Sequence, residues 1–144
     1  MATVELRFSA LPEHVRTARL VAAAVARRAG VDEAVLDEVR LAVGEACTRA
    51  VGLHQTGGIT APVKVSLIEE EKQFSIEVGD EAPRSVPGDR APGSGGDGDV
   101  DTEEDEMGLA VISGLVDDVE VSAGEHGGLI RMTWPTTPVT ATLS

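Results

Sequence analysis

Residues 3–8 alternate apolar Val4, Leu6 and Phe8 with charged Glu5 and Arg7. A period of two puts the apolar set on one face, which predicts a half-buried strand at or near a sheet edge. Pro12 stands where the first turn of a helix tolerates proline, and an Ala-rich segment runs from there to Ala29 before Gly30, a residue suited to a left-handed cap. A first helix is expected over 12–29. Asp32 is a suitable N-cap for a second helix reaching about Leu53, with Val31 placed to pack on Leu36 across the cap. Residues 54–61, past that expected helix end, carry Gly57-Gly58. Beyond them Val63, Val65 and Leu67, then Phe74, Ile76 and Val78, alternate on either side of polar residues 69–73, which predicts a hairpin.

From 83 to 106 the apolar period vanishes among Pro83, Pro87, Pro92 and several glycines. So long a connection inside a compact domain is usually a lid, a binding loop or disorder. Residues 108–116 read as a short apolar helix, and 119–121 with 129–134 as two closing strands around 124–128. Trp134 is expected in core or sheet-face packing, and residues 136–144 as a frayed tail. The order β, α, α, β, β, loop, α, β, β predicts an α+β two-layer sandwich: a mostly antiparallel, mixed sheet with three helices on one face.

Length and charge narrow the function. The 144 residues, 42% hydrophobic and 26% charged, suffice for one domain over 1–144. Net charge is −13, from 25 acidic and 12 basic residues. Residues 97–106 hold Asp97, Asp99, Asp101, Glu103, Glu104, Asp105 and Glu106 and no base. Duplex binding needs the opposite sign, so direct nucleic-acid contact is not expected. No apolar run reaches membrane-spanning length, and the first ten residues lack the pattern of a secretory leader, which points to a cytoplasmic protein without a membrane partner. Cys47, the single cysteine, excludes an internal disulfide and a cysteine zinc site. His14, His54 and His126 lack metal-pair spacing and read as chance placements.

At 100° per residue, Val35, Val39, Ala42, Val43, Ala46 and Ala50 share the core side of the second helix. Glu38, Glu45 and Arg49 fall within about 40° of one another on its flank. Polar groups there either line a pocket or form a solvated Glu45–Arg49 pair at i,i+4, which is worth about 0.2–0.5 kcal/mol.

Residues 38–51, EVRLAVGEACTRAV, resemble the helix motif of the bacterial anti-sigma factor serine kinases, small members of the Bergerat-fold ATPases that include histidine kinases and gyrase. Residues 76–83, IEVGDEAP, resemble their first glycine box; 107–112, MGLAVI, their second; and 127–134, GGLIRMTW, their last strand. The resemblance implies the Bergerat architecture, a lid over ATP at 83–106, Mg²⁺ and ATP or ADP as cofactors, and a homodimer. It implies Glu45 as general base, Asp80 as the aspartate that reads adenine, and Ala82, Gly108 and Leu109 as nucleotide contacts. The partners it implies are a sigma factor, an anti-anti-sigma (STAS-domain) protein, or both.

Several positions depart from the pattern. The magnesium-ligating Asn is replaced by Arg49, a permanent cation without a lone pair to offer. Ala82 stands for a glycine of the first box, Glu106 for one of the second, and Gly128 for a threonine of the last. Seven carboxylates beside a triphosphate oppose binding, by about 1 kcal/mol per unit pair at 4 Å in water. The acidic run is otherwise a solvated loop, a segment that docks a partner, or an internal anion paired with Arg49. Two functions are expected from this balance: a regulator that binds its partners through a degenerate nucleotide site, with no metal in it, or an active kinase that phosphorylates a STAS-domain serine, with Glu45 as base.

Overall fold

In the computed structural model, residues 2–83, 110–116 and 118–136 are described. The expectations for most of the lid, for Glu106, Gly108 and Leu109, and for most of the tail lie outside them. Strand β1 (Ala2–Phe8) turns Val4, Leu6 and Phe8 toward the core while Glu5 and Arg7 stay exposed. Helix α1 (Pro12–Ala29) starts on Pro12 without a side-chain cap and ends at Gly30 with φ 103°. The Gly30 N–H donates to Arg27 O and the Val31 N–H to Ala26 O, which satisfies carbonyls that the helix end would otherwise strand.

Asp32 does cap, but it caps a single 3₁₀ turn (Glu33–Val35), accepting from Ala34 N–H. Helix α2 (Leu36–Gly57) begins on that turn and is 22 residues long, about 33 Å at 1.5 Å per residue. It runs past the expected end at Leu53. Gly57 closes the helix, and Gly58, at φ 65°, supplies the cap whose N–H bonds back to Gln55 O. The pair of glycines expected beyond the helix is therefore its terminus. Val35 lies in the 3₁₀ turn and is half-buried, whereas Val39, Ala42, Val43, Ala46 and Ala50 are buried as expected.

Strands β2 (Val63–Glu69), β3 (Gln73–Asp80), β4 (Asp118–Gly124) and β5 (Gly127–Pro135) complete a five-stranded sheet in the order β1-β2-β3-β5-β4. Every pairing among the described strands is antiparallel, and β1 is an edge strand. The expected 124–128 connection is tighter than foreseen. Gly124 pairs directly with Gly127, leaving a two-residue turn, because Gly127 adopts φ 124°. Helix α2 lies chiefly across β3 and α1 packs on α2, giving two layers; residues 110–115 form a further helical segment.

The core sits between the layers. Register stacks Leu67, Ile76 and Met132 across neighbouring strands, then Val65, Val78 and Ile130, all at most 2% exposed. Phe74 pairs with Trp134, which is 3% exposed. Full burial of each such side chain contributes about 1.5–3 kcal/mol. The opposite sheet face is polar: Arg131 pairs with Glu70 at 3.2 Å, Lys64 with Glu5 at 2.8 Å, and Ser75 Oγ meets Thr133 Oγ1 at 3.0 Å. Lys64 beside Glu5 holds that carboxyl below its usual range, with Arg7 adding to the effect.

Candidate functional site

Asp80 is the last residue of β3 and 6% exposed. A carboxylate so placed needs partners, and its Oδ1 accepts the Ala82 N–H at 3.0 Å, closing a local turn. Between them the Glu81 N–H donates to His54 Nε2 at 2.8 Å. Because Nε2 accepts, Nδ1 carries the ring proton and donates to Ala61 O at 2.9 Å. Gly127 presses on the same turn from β5: a Cβ there would stand 2.0 Å from Asp80 O. An open cleft of about 380 Å³ lies on this side, lined by Asp80, Ser122, Glu125, His126 and Gly128 among others. Ala82 is itself buried, so its methyl group fills space that a glycine would leave open.

Glu45 and Arg49 are both half-buried on the flank of α2, while Glu38 is exposed. At 1.5 Å per residue Arg49 precedes His54 by about 7.5 Å along the axis and Glu45 by about 13.5 Å. The helix therefore carries both flank residues toward its middle and ties its last turn to Asp80. Arg49 cannot ligate a cation, and among the described residues no group of three His, Cys, Asp or Glu can hold a metal. The chemistry at position 49 does not fit Mg²⁺.

Two features escape the sequence reading. His54, read as a chance placement, is fully buried with both ring nitrogens bonded. Its signal was present: it lies seven residues after Cys47 and four after Ala50, on the stripe that a longer helix would extend. The second is a groove of about 330 Å³ between α1 and α2, lined by Arg16, Arg19, Thr48 and Gln55 among others. Arg19 lies over Gly44, where a Cβ would approach its Cδ to 3.0 Å, and its buried Nε lacks a hydrogen-bond partner among the described residues. Cys47, 0% exposed, is pushed up to about 12 by burial, so it is a packing thiol and not a nucleophile.

Comparison with known proteins agrees with this architecture. The profile of the family described as histidine kinase-like ATPase domain matches residues 8–134. A serine-protein kinase RsbW of Bacillus pumilus is 30% identical over 136 residues, covering 90% of this chain and 83% of that protein. An anti-sigma F factor of Clostridium acetobutylicum is 28% identical, with 87% of each chain covered. A solved structure of RsbU and RsbW domains from Mycobacterium tuberculosis superposes with a TM-score of 0.66 at 15% identity; 96% of this chain is covered, but the match spans 34% of that one. This protein thus belongs to the histidine kinase-like ATPase domain family, among its RsbW-like members.

Proposed function

We propose that this protein is an anti-sigma-type regulator that acts by binding a sigma factor, an anti-anti-sigma (STAS) protein, or both, through a nucleotide site unfit for ordinary magnesium-dependent transfer. Arg49 carries the reading: the helix flank that should anchor the metal holds a guanidinium one turn after Glu45. A guanidinium can still hold phosphate bidentately, so adenine nucleotide enters weakly and without magnesium. The partner's counterpart is an acidic segment seated in the α1–α2 groove, where Arg16 and Arg19 supply positive charge. The same reading carries a cytoplasmic homodimer without direct DNA contact.

Titration calorimetry with ATP, with and without Mg²⁺, tests the site. Binding weaker than the micromolar range and indifferent to magnesium is expected, and Arg49→Asn should introduce magnesium dependence. Low-micromolar, magnesium-dependent affinity in the native chain favours the second reading, an active serine kinase with Glu45 as base, whose support is the retained and buried Asp80.

A further inference from the structure

The last turns of α2 carry a polar group with no role in the reading above. His54 is 0% exposed, yet Nε2 accepts from Glu81 N–H at 2.8 Å and Nδ1 donates to Ala61 O at 2.9 Å. Its backbone carbonyl also accepts from Ile59 N–H at 2.8 Å. One neutral imidazole in one tautomer thus joins the end of α2, the approach to β2 and the residue after Asp80. A leucine would fill the same apolar stripe but would leave the Glu81 N–H and the Ala61 carbonyl without these partners. What the imidazole adds is direction. Residues 80 and 82, on either side of the amide it holds, are joined by the bond from Ala82 N–H to Asp80 Oδ1 at 3.0 Å. Gly127 bounds the turn on its other side, since a Cβ there would meet Asp80 O at 2.0 Å. Moving the Glu81 amide therefore turns the Asp80 carboxylate.

We propose that His54 is a positioning residue for base recognition: by holding the Glu81 amide it aims Asp80 and sets the preference for a base with an exocyclic amino group over one with a carbonyl in its place. The inference rests on Asp80 as the base-reading residue; it requires neither magnesium nor kinase activity.

The test uses the full chain, labelled with ¹⁵N, and two variants. His54→Asn retains a donor for Ala61 O and removes the acceptor for Glu81, whereas His54→Gln can return an acceptor near the Nε2 position. Amide exchange at Ala82 should accelerate about tenfold in His54→Asn, while the Ile76 and Val78 amides keep their native rates, and His54→Gln should recover most of the protection. In NMR titrations, the native preference for adenosine over inosine should fall about tenfold in His54→Asn and return in His54→Gln. Unchanged Ala82 exchange, or an unchanged preference, overturns the assignment of His54. A native chain with no preference instead overturns the reading of Asp80, and the inference with it. Should His54→Asn fail to fold, imidazole ¹⁵N shifts of the native chain still decide, because a proton on Nε2 refutes the arrangement.

Discussion

The two ends of the candidate site are built by different means. At the Asp80 end, β3, β5 and the last turns of α2 converge, and a carboxylate, an imidazole and a glycine fix one turn from three sides. The Glu45–Arg49 end lies on the flank of a helix whose opposite side carries the core. The first end is fixed by contacts among three elements, which hold that turn whether or not a nucleotide enters. The second depends on which side chains stand half-buried on that flank. The retained geometry around Asp80 is for that reason weaker evidence of nucleotide chemistry than the single identity at position 49.

The contrast can be broken most directly at Gly127. Gly127→Ala puts a methyl group into the Asp80 carbonyl at a backbone angle that L-residues avoid, and should destabilise the protein by about 3 kcal/mol or more, measured by urea unfolding. A loss under about 1 kcal/mol would mean the base end adapts as freely as the flank. Next is Cys47→Ser, on the core side of α2 within two residues of Arg49. Placing a hydroxyl in that fully buried site should destabilise by about 1–3 kcal/mol in the same measurement.

Cys47 also imposes an alkaline limb. Its thiol ionises near 9.0 when unperturbed and near 12 in the fold. Below 9.0 both states keep the proton and its contribution is fully present; above it only the unfolded chain loses the proton, so stability falls until about pH 12. The slope approaches about 1.4 kcal/mol per pH unit inside that window, and Cys47→Ala should flatten it. The smallest effect belongs to the flank. Arg49→Asn should change stability by less than about 1 kcal/mol while altering magnesium dependence; a larger loss would make Arg49 a structural residue and erase the difference between the two ends.

Much of the fold was legible because periodicity and caps agreed. The alternation at β1, β2 and β3 and the Pro12 and Gly30 boundaries of α1 all appear where the pattern places them. Errors arose where glycine has two meanings. Gly57-Gly58 ended a helix instead of following it, and Gly127 tightened a hairpin instead of lengthening it. The first error hid His54, since a helix stopped at Leu53 puts no histidine on its buried stripe. Within the candidate site, the identities at 45, 49, 80 and 82 could be read from the chain, but the fastening of Asp80 could not. It depends on His54, 27 positions before Glu81, and on Gly127, 47 positions after Asp80, and local pattern does not encode such pairings.

Trp134 has a practical consequence. The chain contains one Trp and no Tyr, so emission excited in the near ultraviolet comes from a single indole. That indole is 3% exposed on β5, opposite Phe74 of β3, and its Nε1 is buried without a hydrogen-bond partner among the described residues. Its spectrum should be blue-shifted and free of competing donors. Any ligand or partner that disturbs the β3–β5 seam is thereby visible in the unlabelled protein as a shift of its emission.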